Sequence, residues 1–228
     1  MSNPLRQLLL DMKEALDVAG VPFWLNDGTL LGAVRDGDFI PWECDVDVGA
    51  WFGIPDNIRM DVALSLTEKG YEVLITPIYI TATKGAVYGD IEFYEDRDGI
   101  AVLPQWLPVN TVGRYLGYIR SILMCPGYYR ISKDESVFKH YLLSVCNFIA
   151  AEFPQQVTVW AIEKLYTAVG YKVWAIPTKY FTELDTLVFC GVGFNVPANP
   201  EVYLAFRYGK DWRTPKRDWG INNDGGTK

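Results

Sequence analysis

The chain has 228 residues, half of them hydrophobic and 21% charged, which fits one globular domain, or one domain with a helical extension, and excludes a disordered polymer. Its 28 acidic against 21 basic side chains give a formal net charge of -7, which excludes a general binder of nucleic acid. Four widely spaced cysteines and a single histidine, His140, exclude a clustered zinc site and predict buried free thiols in a reducing compartment.

Leu5, Leu8, Leu9, Met12 and Leu16 recur at helical spacing and predict an amphipathic helix over 4–18, stopped by Gly20. The apolar run at the start is too short and too charged for a signal peptide, and no stretch reads as a transmembrane span, so a soluble cytoplasmic protein is expected. Residues 21–25 read as a strand. Asn26, Asp27 and Gly28 read as a turn, and Thr29 as the cap of a helix through Leu30, Leu31, Ala33 and Val34. Gly37 and Pro41 break the chain before an apolar strand over 46–52. A helix over 57–69 ends at Gly70, and strands follow over 71–75, 78–83, 87–94 and 100–103. Residues 104–130, rich in Gly, Pro and Tyr, carry no assignable pattern. Helices are expected over 134–152 and 155–168, then a short element at 178–181, a strand at 187–190 and a helix over 201–208. The layout predicts an α+β fold: a mixed sheet flanked by helices over 1–103, a helical and mixed extension over 104–219 completing a substrate cleft, and a loose Gly/Asn-rich tail over 220–228.

Chemistry concentrates in Gly28-Thr29-Leu30-Leu31-Gly32, followed closely by Glu43-Cys44-Asp45-Val46-Asp47. Side chains two apart on a strand share a face, roughly 6.5 Å apart, so Asp45 and Asp47 project together. Converging carboxylates repel unless a cation lies between them, and oxygen-only ligands select hard ions such as Mg²⁺ or Mn²⁺. Gly28 and Thr29 at a helix start offer N–H groups, a hydroxyl and a favourable dipole to a phosphate. Asp90, in Gly89-Asp90-Ile91-Glu92-Phe93-Tyr94, supplies a third acid able to hold a metal and accept a proton, with Glu92 of the same parity in reserve. Arg35 is positioned either to reach a phosphate or to pair with Asp36 or Asp38. Trp42 is suited to stacking on a base or sugar, or to a place in the core. Arg207, Lys210 and Arg213, in a late basic run with Lys216 and Arg217, are candidates to hold a pyrophosphate, against a role as ordinary surface charge. A D-x-D pair or a G-T-x-x-G alone is weak; the two in this order, a short distance apart, are specific.

The stretches GTLLGAVR at 28–35, Phe39-Ile40-Pro41-Trp42 and Glu43 to Val48 resemble the signature of the LicD family, which includes bacterial phosphocholine transferases and is similar to fukutin-related ribitol-phosphate transferases. Asp90 to Tyr94 resembles that family's later aspartate-aromatic strand. Phe194, Val196-Pro197, Glu201, Tyr203-Leu204, Tyr208-Gly209 and Asp211-Trp212 resemble its closing block. The resemblance implies a nucleotidyltransferase-like fold, a divalent metal, and transfer of a phospho-alcohol from a CDP-activated donor to the hydroxyl of a glycan or glycolipid at the inner face of a membrane. It places the metal on Asp45, Asp47 and Asp90, and the phosphate on Gly28 and Thr29. Two departures, Cys44 within the acidic run and Asp36 after Arg35, change the charge around the phosphates. Two other readings of the same residues are a nucleotidyltransferase that releases pyrophosphate and a non-catalytic nucleotide-binding module.

Overall fold

A computed structural model describes residues 3–108, 171–219 and 223–227, with scattered helical positions between 157 and 168. The expected helix over 134–152 and His140 lie outside the described residues. So does most of 155–168, although Val157, Trp160, Ala161, Lys164, Leu165 and Ala168 are helical. Contacts divide the chain into two units, one made of Met1–Pro104 with Trp174–Lys228 and the other of Gln105–Val173. The expected extension over 104–219 is thus split, because residues from Trp174 onward pack with the first hundred.

In the first unit, α1 (Pro4–Val18) begins at Asn3, whose side chain accepts from the Leu5 N–H at 3.0 Å, with Pro4 in the first turn where its missing donor costs nothing. Its apolar stripe, Leu8, Leu9, Met12 and Leu16, is fully buried. Strand β1 (Phe23–Leu25) leads to α2 (Asp27–Arg35), then β2 (Asp45–Trp51) and α3 (Asp56–Glu68). Strands β3 (Glu72–Ile75), β4 (Tyr79–Lys84), β5 (Val87–Arg97) and β6 (Ile100–Pro108) follow. After the second unit come β7 (Tyr171–Pro177), the hairpin of β8 (Leu184–Phe189) and β9 (Val192–Pro197), and α4 (Pro200–Tyr208). Among the described residues no helix is long and apolar enough to cross a membrane.

The sheet runs β1-β2-β5-β4-β3 and is mixed: β2 and β5 are parallel, and every other pair along this path is antiparallel. Parallel neighbours need a crossover, which α3 and the β3–β4 hairpin provide. One face of the sheet packs on α1 and α3. Val46, Val48, Ala50 and Ile91 are buried there, and Gly89 leaves room for the Met12 sulfur, which would lie 2.6 Å from an added Cβ. The opposite face carries the acids. At its far end Gly49 admits the Trp24 ring, and Trp24 stacks on Phe181 at 4.6 Å, beside Trp51, Tyr94 and Tyr203.

The loose tail expected over 220–228 is tied down at 224–227. Asp224 is buried on Arg207, the Gly225 N–H donates to the Arg207 carbonyl, and the Gly226 carbonyl accepts from the Ala175 N–H. Composition pointed to looseness, but these glycines serve close packing: a Cβ on Gly225 would strike the Phe206 carbonyl. The thiols also differ from expectation. Cys44 is exposed and Cys190 half-buried, both free, while Cys125 and Cys146 lie outside the described residues.

Candidate active site

Strand register brings the predicted acids together. Asp47 lies opposite Asp90 across the parallel β2–β5 pair, and Asp45 lies opposite Tyr88 two positions earlier, all on one face. The Tyr88 hydroxyl donates to Asp45 Oδ2 at 2.9 Å, and the Thr81 hydroxyl donates to Asp90 Oδ1. With these two carboxylates turned to their hydroxyl partners, no three Asp, Glu, His or Cys side chains close on a single point among the described residues.

The carboxylates nonetheless crowd one another electrostatically. Burial, then the charges of Glu92, Asp27, Asp45 and Asp90, push the Asp47 carboxyl well above its ordinary range. Burial, reinforced by Asp45 and partly offset by the Thr81 hydrogen bond, raises Asp90. Clustered carboxylates that raise one another are relieved by a positive ion, and the donor set is oxygen alone. The oxygen-only donor set and its strand placement fit Mg²⁺ or Mn²⁺ in chemistry, and each hydroxyl partner leaves the second oxygen of Asp45 and of Asp90 free.

The turn before the acids is built differently from the sequence expectation. Helix α2 starts at Asp27, not Thr29, with Asp27 at a φ of 41° in the left-handed region. Asn26 occupies the cap position without capping. Its amide instead donates to Glu92 Oε2 at 2.6 Å and to the Tyr94 hydroxyl at 2.9 Å. Thr29 is buried, and its hydroxyl oxygen accepts from the Asp47 N–H at 2.8 Å. It therefore ties α2 to β2 rather than facing a phosphate. Gly28 is half-exposed, and its missing Cβ is where the Glu43 carboxylate rests. Burial, Asp45 and Asp27 push Glu43 up to about 7, against a smaller pull from Arg35.

The remaining candidates separate. Glu92 is buried and accepts from Asn26 and from the Tyr94 hydroxyl, so it supports the turn. Arg207 is 1% exposed and donates to Asp27, Asp224 and Tyr203, so its guanidinium is engaged within the protein. Arg213 is exposed, paired with Glu201 at 2.6 Å and stacked on Trp212 at 4.2 Å. Lys210 is exposed beyond the end of α4. Arg35 forks onto Asp36, with Nε–Oδ1 at 2.9 Å and Nη2–Oδ2 at 2.7 Å. Together with Trp42 it lines a cavity of about 260 Å³ whose walls also include Glu43, Tyr208, Trp212, Lys216, Arg217 and Trp219. Arg217 lies over the Trp42 ring at 5.3 Å, and Lys216 pairs with Asp211 at 2.6 Å.

Sequence reasoning passed over Asn26, Asp27, Glu43, Tyr203 and Asp224. The first three flank the motifs closely enough to have been taken with them. Tyr203 fell within the closing block with no role attached, and Asp224 had no signal beyond a single acid among glycines.

Residues 20–102 match the profile of the family described as LicD/FKTN/FKRP, nucleotidyltransferase domain. The human ribitol 5-phosphate transferase FKRP is 58% identical over 36 residues, which is 16% of this chain and 7% of that protein. The human ribitol-5-phosphate transferase FKTN is 35% identical over 65 residues, 28% of this chain and 13% of that protein. An uncharacterised protein of Rickettsia prowazekii (strain Madrid E) is 39% identical over 70 residues, 30% of this chain and 26% of its own length. The matched stretch thus spans a small part of each relative. Among solved structures, the antibiotic-resistance factor ANT(2'')-Ia in solution aligns at a TM-score of 0.36 and 19% identity, over 74% of this chain and 96% of its own.

Proposed function

We propose that the protein moves a phospho-alcohol, such as phosphocholine or ribitol phosphate, from a CDP-activated donor to a glycan hydroxyl and releases CMP, a reading supported by the match of residues 20–102 to the LicD/FKTN/FKRP nucleotidyltransferase-domain profile. The observation that carries the proposal is the placement of Asp45, Asp47 and Asp90 on one face of the β2–β5 pair, beside an aromatic and cationic cavity that Glu43 borders.

In this reading Asp45, Asp47 and Asp90 hold Mg²⁺ or Mn²⁺. When bound, the ion neutralises phosphate oxygens and the charge that builds as the phosphoryl group moves. The nucleobase stacks among Trp42, Trp212 and Trp219, and Arg35, Lys216 and Arg217 face the diphosphate. Asp90, on the strand beside the metal pair, takes the acceptor's proton. The acceptor oxygen then bonds to the phosphorus that carries the alcohol, the bond from that phosphorus to the CMP oxygen breaks, and CMP leaves.

The test offers CDP-choline, CDP-ribitol and CDP-glycerol with either metal to the full chain and measures CMP. Asp45→Asn should lower turnover more than roughly 100-fold, beyond what outer-shell changes usually cost, while the far-UV spectrum stays unchanged. Undiminished turnover in Asp45→Asn would remove the acid pair from the mechanism. The family's description as a nucleotidyltransferase domain favours one second reading, in which nucleoside triphosphates are consumed and pyrophosphate appears instead. Tight binding of metal and CDP-alcohol without either product would point to a non-catalytic module.

A further inference from the structure

The start of α2 is gripped from far along the chain. Arg207 Nη2 donates to Asp27 Oδ1 at 2.7 Å across 180 positions. Its Nη1 donates to the Tyr203 hydroxyl at 2.6 Å, and that hydroxyl donates in turn to Asn26 Oδ1 at 3.4 Å. Its Nε donates to both carboxylate oxygens of Asp224, at 2.7 and 2.9 Å, and the guanidinium lies over the Trp174 ring at 4.5 Å. Burial works against the charge on Arg207, yet Asp27, Tyr203 and Asp224 more than offset it and hold the group in its cationic form.

The residues held are the two immediately before Gly28. Asn26 is also fixed from the sheet side, by Glu92, Tyr94 and a bond from its N–H to the Asp47 carbonyl at 3.1 Å. Asp27 has the left-handed backbone that non-glycine residues keep only where their surroundings impose it.

We infer that Arg207 is a positioning residue of the acidic site. Together with Tyr203 and Asp224 it clamps Asn26 and Asp27, and through the bond from the Asn26 N–H to the Asp47 carbonyl it sets where the β2 carboxylates stand relative to the start of α2. This rests on the reading of Asp45 and Asp47 as metal ligands. Outer-shell partners of this kind hold ligand geometry, and their loss typically costs roughly 10- to 100-fold in metal affinity or activity.

The experiment titrates Mn²⁺ alone into the full chain, reads free Mn²⁺ by electron paramagnetic resonance, and compares wild type, Asp47→Asn, Arg207→Lys and Tyr203→Phe. Tyr203→Phe keeps every charge and nearly all of the packing, removing only the hydroxyl between Arg207 and Asn26. It decides the matter even if Arg207→Lys fails to fold. The expected result is a dissociation constant raised about 10-fold in Tyr203→Phe and up to about 100-fold in Arg207→Lys. CMP release should slow in step, with little change in donor KM. A purely structural Arg207 would lower the melting temperature and leave Mn²⁺ affinity of the folded protein unmoved. Wild-type Mn²⁺ binding by folded Tyr203→Phe and Arg207→Lys, with binding lost in Asp47→Asn, would overturn the clamp alone. Wild-type binding by Asp47→Asn would overturn the metal reading beneath it.

Discussion

Glu43 and Arg207 show how burial sets what a single charged side chain does. The folded Glu43 carboxyl titrates near 7 against about 4.5 when unfolded, so its proton stabilises the fold below pH 4.5 and that contribution is lost as pH rises through 7. Burial and like charge raise Asp47, Asp90 and Glu92 in the same direction. The metal-free protein should therefore melt at falling temperature from pH 5 to pH 8, and Glu43→Gln should flatten the part of that slope between about 4.5 and 7, as scanning calorimetry can measure. Arg207→Met removes a cation from between two carboxylates and should cost about 3–5 kcal/mol in urea denaturation, because Asp224 is left buried and unpaired. At this scale the sequence was half legible. That Asp45, Asp47 and Asp90 share one face was legible, because strand parity alone puts them there. Arg207 was weighed between a pyrophosphate ligand and surface charge, since a basic residue in a basic run carries no mark of its burial. Thr29 was read as facing phosphate because a Gly-Thr at a helix start does not reveal which way its hydroxyl is satisfied.

Among the elements, those with a single buried face were readable and those shaped by tertiary contacts were not. Helix α1 alternates apolar and polar at its own period and was found at its observed bounds. Strand β7 went unassigned because Trp174, Ala175 and Ile176 are all buried, leaving no alternation to detect. Helix α2 begins two residues earlier than its predicted cap because Asp27 is held in place by Arg207, a contact no local pattern records. On the β2 side of the sheet, Gly49 is a packing requirement. An added Cβ would lie 2.5 Å from the Trp24 ring, which is itself wedged against Phe181. Gly49→Ala should accordingly destabilise the protein by about 1–3 kcal/mol, the usual cost of overpacking, measured as a shifted urea midpoint at constant slope.

Across the molecule, residues from Trp174 onward belong with the first hundred, and the acidic site draws on both stretches. Gly225→Ala, which drives a methyl into the Phe206 carbonyl, should speed amide hydrogen exchange in residues 26–30 without touching them, because Asp224 is carried on the same turn. Unchanged exchange there would mean that the turn and α2 open independently. The reach of Arg207 back to Asp27 also bears on synthesis. A ribosome adds about 5–20 residues per second, so the hundred residues between the end of β6 and Arg207 take roughly 5–20 s. For that interval the nascent sheet holds its crowded carboxylates with no guanidinium beside them. On the proposed metal reading a divalent cation from the surrounding solution stands in, and the protein should be harvested in better yield when its translation runs in ample magnesium.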